Sequence, residues 1–311
     1  MTKWKSMGLI FLPDKYQPWA QSHAQVPTCF IKDNSTLRIF YSSRDAGNVG
    51  RVSFFDVNAD NPSEIKYVHD KPILESGKPG TFDDCGVMPS CVVTNMNKLF
   101  LYYIGWNIRN TVPYYNSVGL AVSEDNGLTF KRYSEGPLWD RNYLEPYFSA
   151  SSCVLYNGKI WKCWYLSCTE YRLIQGIYEP RYHIKYAESD DGVKWNREGK
   201  IAIDYKSDEE GGIARPSVQF ENGIYKMWYS YRNLFNYRID PAQSYKIGYA
   251  ESTDGMKWDR QDDVQFVGES QFWDNNMRCY PNIVNVRNRK YMFYNGNGFG
   301  INGIGYAEAT R

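Results

Sequence analysis

Histidine is scarce in this sequence, and the cysteines show no arrangement typical of a metal or disulfide site. The 311 residues include three His and seven Cys, and no two cysteines form a Cys-x-x-Cys pair. Zinc sites use such ligands at short, regular spacings, and disulfide frameworks use an even number of cysteines. We therefore predict no metal, no cofactor and a reduced, cytoplasmic protein.

Long hydrophobic runs and an excess of one charge are also missing. No apolar run approaches the roughly 18 residues of a membrane span. The first residues combine charge with no long apolar core, so we expect neither a membrane partner nor a signal peptide. Lys and Arg number 36 against 35 Asp and Glu, a net charge of +1. This balance provides no basic field for nucleic acid. Since there is no linker or charge block, we predict a single domain.

Aromatic residues are abundant, at 17% of the chain, and some of them recur at a nearly fixed interval. A short signature, an apolar strand that ends in an aromatic residue followed by Tyr, occurs five times. Its tyrosines are 62, 62, 64 and 65 residues apart, at Tyr41, Tyr103, Tyr165, Tyr229 and Tyr294. A period of this size along the whole chain predicts a repeat architecture.

Each repeat contains the sequence signals of antiparallel strands. Asn222-Gly223 and Asp254-Gly255 are examples of turns that favour hairpins, because these residues adopt positive φ. Four such strands per repeat form a propeller blade. We therefore predict an all-β fold, a five-bladed β-propeller, rather than a β-sandwich with coincidental spacing. The predicted blades span about 22–75, 84–138, 146–203, 212–267 and, combined in one blade, 277–311 with 1–12.

The last repeat lacks a fourth strand, and the N-terminus offers one. The segment from Lys3 to Phe11 is similar to the fourth-strand segment from Lys257 to Phe266. We predict that it completes the last blade by pairing with the third strand near Tyr306. Such pairing would remove the edges that an open sheet exposes.

Three turns between third and fourth strands share a Ser and an Asp. The first resembles the Asp-box of sialidases. We predict a structural role for all three turns, on the face of the propeller away from the expected binding pocket. They are Ser123–Phe130, Ser189–Trp195 and Ser252–Trp258. The long loops after the second strands lie on the other face, where we expect binding.

Carboxylates recur six residues before a proline-equivalent position, at Asp83, Glu145 and Glu210, with Asp84 directly after Asp83. Gathered round one axis, they could provide the two carboxyl groups of glycoside chemistry, one protonating the leaving oxygen and one attacking or activating water. We predict Asp84, Glu145 and Glu210 as catalytic candidates. The alternative is that these acids merely solvate loops.

Cationic and polar residues recur at neighbouring positions. A guanidinium on an axial strand is costly to desolvate unless it pairs with an acid or meets an anion. Arg215 and Arg278 are therefore tied either to the predicted acids or to a phosphate or carboxylate of the ligand. The predicted substrate-binding residues are His23, Gln25, Arg44, Arg109, Arg215, Arg278 and Tyr280.

The repeated motifs Tyr-Ala-Glu-Ser-x-Asp-Gly-x-x-Trp, at Tyr186–Trp195 and Tyr249–Trp258, and Asn-Gly-x-Tyr-x-x-Trp-Tyr, at Asn222–Tyr229, resemble those of the five-bladed glycosidase superfamily. That group includes the arabinanases and β-xylosidases of glycoside hydrolase family 43, the invertase-type enzymes and the mannoside phosphorylases. The resemblance covers the whole chain and implies their fold. The site departs from the pattern, because Val26 stands where arabinanase-type members have an Asp.

From the resemblance and the candidate residues we predict a carbohydrate-active enzyme of glycosidase type, acting by hydrolysis, phosphorolysis or glycosyl transfer. The expected partner is a small carbohydrate, an anionic sugar or sugar phosphate in the axial pocket, with a role in surface-polysaccharide precursor metabolism. The alternatives are a non-catalytic propeller that binds a sugar or nucleotide sugar, and an interaction scaffold with an exposed apolar rim.

Overall fold

In the computed structural model, which describes residues 2–13, 17–262 and 264–310, the regular secondary structure is almost entirely β-strand. Strand β1 covers Trp4–Phe11. Unit 1 contains β2 (Ser22–Asp33), β3 (Thr36–Arg44), β4 (Gly50–Asn58) and β5 (Ile65–Val68). Unit 2 contains β6 (Val87–Asn95), β7 (Lys98–Ile108), β8 (Tyr114–Ser123) and β9 (Lys131–Arg132). The all-β prediction is confirmed.

The second half of the chain continues the same pattern. Unit 3 contains β10 (Ser149–Tyr156), β11 (Trp161–Ile174), β12 (Ile177–Ser189) and β13 (Asn196–Ile203). Unit 4 contains β14 (Glu210–Glu221), β15 (Ile224–Asn233), β16 (Lys246–Ser252) and β17 (Asp259–Arg260), and β18 (Phe266–Val267) follows. Unit 5 contains β19 (Cys279–Val286), β20 (Arg289–Asn295), the short helix α1 (Asn297–Gly300) and β21 (Ile304–Ala309).

Successive strands within each unit pair in antiparallel fashion. The strands form four sheets, because Tyr182 of β12 pairs with Gly212 of β14 and thereby joins units 3 and 4 in one sheet. The recurring tyrosines lie on the second strand of each unit, and all five are buried. Hence the period in the sequence corresponds to a repeated position in the structure.

The N-terminal strand belongs to unit 5. Strand β1 pairs antiparallel with β21, with Gly8 opposite Tyr306, as the sequence predicted. It also pairs in parallel with β18, where Trp4 lies opposite Phe266. The Trp4 side chain is fully buried and packs edge-to-face on Trp228 of unit 4, with ring centroids 5.9 Å apart.

The units pack around a common centre. Each first strand contacts the first strand of the next unit, in the order β2, β6, β10, β14 and β19, and β19 in turn contacts β2. Aromatic pairs fill the space between neighbouring units, which explains the high aromatic content. These pairs are Phe40–Phe130, Phe100–Trp161, Trp164–Trp258, Trp228–Trp4 and Phe11–Phe55.

The three Ser/Asp turns have the predicted structural role. In the first, Ser123 Oγ accepts a hydrogen bond from the Gly127 amide at 2.8 Å, and Asp125 Oδ1 accepts from the Thr129 amide at 2.9 Å. The other two turns repeat these bonds. Their glycine carbonyls also accept hydrogen bonds from the preceding unit, since Tyr102 donates to Gly192 and Trp164 to Gly255, both at 2.7 Å.

Candidate functional site

A cavity of about 540 Å³ opens where the five first strands meet. One residue of each first strand lines it at the point where that strand bulges. The pairing register of every first strand shifts at or next to this point, so each strand bulges there. The five residues are Val26, Met88, Ser151, Arg215 and Tyr280.

Three of these five residues have a left-handed backbone. The φ angles of Val26, Arg215 and Tyr280 are 55°, 54° and 57°. This conformation is unfavourable for a side chain with a Cβ, most of all for β-branched Val26. The neighbouring units hold it by accepting the three amide hydrogens: Asn295 Oδ1 at 2.8 Å, Ser151 Oγ at 3.0 Å and Ser230 Oγ at 2.7 Å. Strain maintained in this way is concentrated at functional sites in proteins.

Arg215 reaches from unit 4 across the centre to unit 1. Its Nη2 donates to the Pro27 carbonyl at 2.8 Å and to Thr28 Oγ1 at 2.9 Å. The side chain is 1% exposed, and its Nε has no hydrogen-bond partner among the described residues. No carboxylate in the described part of the chain pairs with it, and burial lowers its pKa. A buried guanidinium without an acid is the arrangement that an anionic ligand would stabilise.

The polar wall of the cavity comes from unit 1. Arg44 donates from Nε to Gln25 Oε1 at 3.0 Å and from Nη1 to Asn48 Oδ1 at 2.9 Å, and it has no acidic partner among the described residues. His23 Nδ1 lies 2.9 Å from Ser22 Oγ. Burial, and then the charge of Arg44, lower the pKa of His23 to about 4. His23 is therefore neutral near pH 7.

Aromatic and aliphatic side chains form the rest of the wall. Phe299 belongs to the turn of α1, where its φ of 58° follows that of Gly298, and its carbonyl accepts a hydrogen bond from Gln25 at 2.8 Å. Tyr182 and Tyr245 contact each other through their hydroxyls. The other ring and aliphatic side chains of the wall are Ile104, Trp106, Ile108, Pro113, Tyr114, Phe148, Ala150, Leu166, Ala214, Tyr237 and Ile301.

A further guanidinium lies behind this aromatic wall. Arg232 is 1% exposed, and its Nε is 3.3 Å from the hydroxyls of Tyr182 and Tyr245. It also donates to the Pro180 carbonyl at 3.0 Å, and none of the described acids pairs with it. The cavity therefore carries uncompensated positive charge in its second layer as well as on its wall.

Two of the predicted catalytic acids lie in ion pairs outside the described lining of the cavity. Glu145 accepts hydrogen bonds from Tyr165 at 3.0 Å and from Arg197 Nη1 at 2.9 Å, and Lys185 Nζ is 3.2 Å away. Glu210 pairs with Arg260, at 2.6 Å from Nη2. These are the contacts of structural groups, and the catalytic role of both acids stays a prediction.

The recurrence of these acids has a structural cause. In unit 2, Asp83 accepts hydrogen bonds from Tyr103 at 3.1 Å and from Arg132 at 2.8 Å. In unit 5, Asp274 accepts from Tyr294 at 2.9 Å and from Arg278 at 2.8 Å. We call this contact the carboxylate clamp, a buried acid at or shortly before the start of the first strand, held by an arginine and, in units 2, 3 and 5, by the second-strand tyrosine. The clamp acids are Asp83, Glu145, Glu210 and Asp274.

The other predicted residues divide among three places. His23, Gln25, Arg44, Arg215 and Tyr280 meet in the axial cavity, whereas Arg278 is held by the clamp of unit 5. Asp84 and Arg109 line a second cavity of about 390 Å³, together with Asp140, and Ile108 lines both cavities.

Asp84 is suited to remain ionised in this second cavity. Partial burial opposes ionisation, but hydrogen bonds from the Gly80 amide at 2.9 Å, from Asn107 at 2.6 Å and from Cys85 lower the pKa of Asp84. Arg109 lies over the ring of Tyr115, 4.9 Å from its centroid. The second cavity thus combines carboxylates with a guanidinium.

Sequence reasoning missed Met88, Ser151, Tyr182, Tyr245 and Phe299. Met88 and Ser151 could have been found, because the repeat aligns them with Val26, Arg215 and Tyr280. Phe299 lies in a glycine-rich loop that occurs in the last repeat alone, so the period gives no signal for it. Tyr182 and Tyr245 each precede the first tyrosine of the shared third-strand motif by four residues, outside the segments that the motif covers.

The described residues contain no group of three or more His, Cys, Asp or Glu side chains that could hold a metal ion. In the same ranges, no helix has the length and apolar character needed to cross a membrane.

Comparison with known sequences gives relatives across the full chain. No family model matches. Two proteins of Mycobacterium tuberculosis, one from strain CDC 1551 and one from strain H37Rv, both named as uncharacterized, are each 32% identical over 305 residues. The match covers 98% of this chain and 98% of each relative.

Solved structures resemble the chain in fold at much lower identity. A glycoside hydrolase superposes with a TM-score of 0.76 at 18% identity, covering 100% of this chain and 93% of that one. A thermostable family-43 glycoside hydrolase gives 0.64 at 18%, covering 94% and 90%. A structure from the mannoside phosphorylase family, which contains hydrolases of β-1,2 mannosidic linkages, gives 0.70 at 14%, covering 99% and 93%. The chain therefore has the glycosidase-type propeller fold that the repeats predicted.

The carboxylate clamp predicts a large stability difference between buried and exposed acids. Glu145→Ala would leave Arg197 and Lys185 buried without their acid, and we expect a loss of about 3–5 kcal/mol in the free energy of unfolding. Glu135→Ala is the matched control, because Glu135 pairs with Lys78 at the exposed surface, where such pairs contribute about 0–1 kcal/mol. Urea unfolding measures both. Equal, small losses would contradict the structural role of Glu145.

The low pKa of His23 predicts a pH effect with a defined sign. Its ordinary pKa of about 6.5 applies in the unfolded chain, so between pH 6.5 and 4 the unfolded state binds the proton first. The contribution of His23 to stability is fully present above this window and is lost as the pH falls through it. NMR titration, assigned by His23→Gln, should give a midpoint near pH 4. Arg44→Gln should raise this midpoint only part of the way to 6.5, because burial lowers the pKa of His23 more than Arg44 does. A midpoint near 6.5 in the unsubstituted protein would disprove this description.

Proposed function

The chain belongs to the same family as the two mycobacterial proteins, and we propose that it is a carbohydrate-active protein that binds an anionic sugar or sugar phosphate in the axial cavity. The observation that carries the proposal is a cavity whose described lining includes three arginines and no Asp or Glu. Arg238 pairs with Glu179 behind the wall, whereas Arg44 and Arg215 have no acidic partner among the described residues. An anionic ligand would supply the missing negative charge.

The aromatic wall supports the carbohydrate part of the proposal. Rings such as Trp106 and Tyr280 offer flat apolar faces beside polar groups, which suits the mixed surface of a sugar. The fold shared with glycoside hydrolases and with a mannoside phosphorylase family member agrees with such a ligand. Fold alone does not establish activity, so the argument depends on the cavity.

Binding is the function that the cavity supports best. Glycoside hydrolysis by the usual mechanism needs two carboxyl groups about 5–9.5 Å apart on either side of the bond. Glu145 and Glu210 are engaged by basic side chains outside the described lining. An enzymatic reaction is the second candidate, because Asp84 lines the second cavity, which shares the lining residue Ile108 with the axial cavity. In that case Asp84, ionised, would act as base or nucleophile.

For the architecture we propose a single domain of five blades, in which units 1–5 are the blades and β1 closes the ring. The cyclic contacts of the first strands support this proposal. Units 3 and 4 share a sheet through a single residue pair, so this link is compatible with two separate blades. A cytoplasmic location and a role in polysaccharide-precursor metabolism stay predictions from the sequence.

A thermal-shift screen tests the binding proposal. The panel contains sugar phosphates, uronic acids, nonulosonic acids and nucleotide sugars, each beside a neutral sugar of the same ring. We expect at least one anionic compound to raise the melting temperature, because a ligand that binds only the folded state stabilises it. The neutral counterpart should bind at least tenfold more weakly, since one lost charge-assisted contact is worth about 1.5–3 kcal/mol.

Two variants separate binding in the cavity from binding elsewhere. Arg215→Gln and Arg44→Gln should each remove most of the shift, and Arg44, being closer to solvent, serves where Arg215→Gln folds poorly. Arg289→Gln is the control, because Arg289 pairs with Glu308 far from the cavity. Shifts that survive both cavity variants, or equal shifts from neutral sugars, would disprove the proposal.

A further inference from the structure

The axial cavity is polar on one side. Unit 1 contributes His23, Gln25, Arg44 and Asn48 to its wall. Arg215 adds its guanidinium to the same side, because its Nη2 is bonded to Pro27 and Thr28 of unit 1. The two wall arginines without an acidic partner, Arg44 and Arg215, therefore both lie against unit 1, whereas Arg238 of unit 4 is paired with Glu179.

The side formed by units 2 and 3 is mainly apolar. Met88, Ile104, Phe148, Ala150 and Leu166 line it and belong to one continuous hydrophobic cluster. Its polar side-chain atoms belong to Asn116, Ser151 and the rings of Trp106, Tyr114 and Tyr182. The Ser151 hydroxyl already accepts a hydrogen bond from the Arg215 amide, and the Tyr182 hydroxyl contacts that of Tyr245. A sugar ring with hydroxyls on every edge would find few hydrogen-bond partners here.

This apolar side continues to the surface. Ile108, at the end of β7, lines the cavity and is 67% exposed, and Pro113 lies across the same loop. An apolar group that leaves the cavity along units 2 and 3 would thus stay in contact with apolar side chains up to the mouth. Burying such surface is favourable in proportion to its area.

We propose that the ligand of the axial cavity is amphiphilic, an anionic sugar derivative that carries a hydrocarbon aglycone, with the anion at Arg215 and Arg44 and the hydrocarbon along Met88, Ile104, Leu166 and Ile108. This inference rests on the proposed function and adds the substrate class. The hydrocarbon can be an alkyl chain or an aromatic ring, since both satisfy an apolar wall.

Simple phosphate monoesters test the proposal without knowledge of the sugar. Methyl phosphate, phenyl phosphate and n-octyl phosphate share one anion and differ in the hydrocarbon. Titration calorimetry with the full chain, below the micelle concentration of the octyl ester, should show the octyl or the phenyl ester binding about tenfold more tightly than methyl phosphate, or more. A phenyl preference identifies an aryl aglycone, and an octyl preference identifies an alkyl chain.

Substitutions locate the hydrocarbon. Ile108→Ser should cut the advantage of the larger ester several-fold and leave methyl phosphate binding unchanged. Ile177→Ser is the matched control, because Ile177 is 57% exposed at the tip of the β11–β12 hairpin and does not line the cavity. Arg215→Gln should weaken the binding of all three esters.

Three results would overturn the inference. Equal binding of all three esters would show that no hydrocarbon site exists, and an advantage untouched by Ile108→Ser would place the hydrocarbon elsewhere. If sugar phosphates then still bind in an Arg215-dependent way, the proposed function stands and only the amphiphilic ligand is wrong. If neither the esters nor any anionic sugar binds, both proposals fail.

Discussion

The carboxylate clamp is the interaction on which the rest of the structure depends. A buried acid just before the first strand is fixed by an arginine in units 2 to 5, and by the second-strand tyrosine in three of them. Removing one partner would leave a buried charge without compensation, so the loop before each first strand has one favourable position. In units 2 to 5 the clamp thus fixes the start of the strand that leads to the central residue, and in unit 1 the amide of Val26 is held by Asn295 instead.

The clamp also decides the chemistry of the cavity. The acids that recur with the repeat form ion pairs with arginines. The residues that line the cavity from the first strands are instead Val26, Met88, Ser151, Arg215 and Tyr280. Arg215 and Arg44 are left without acids, in a wall made mainly of rings and aliphatic groups. Such a cavity is better suited to binding an anion with an apolar attachment than to catalysing a reaction that needs two carboxyl groups.

The sequence predicted the scaffold well because the scaffold is periodic. The tyrosine period located the second strands, and the similarity of the N-terminal segment to a fourth strand located the partner of β21. The same period does not distinguish a structural clamp from a set of catalytic acids, because both produce the same recurrence at Glu145 and Glu210. Phe299 could not be predicted, since its strained turn occurs once. To predict the five residues that line the centre, one would need both the alignment of the repeats and the knowledge that each first strand bulges there.

The central claim is that the anion site of this protein is the axial cavity at Arg215 and Arg44. The most direct measurement is a crystal structure of the full chain with phenyl phosphate bound. We predict phosphate density within hydrogen-bond distance of Arg215 Nε and of Arg44, with the ring against Ile104 and Leu166. Density beside Arg109 or at surface arginines, with the axial cavity free of phosphate at saturating ligand, would contradict the claim.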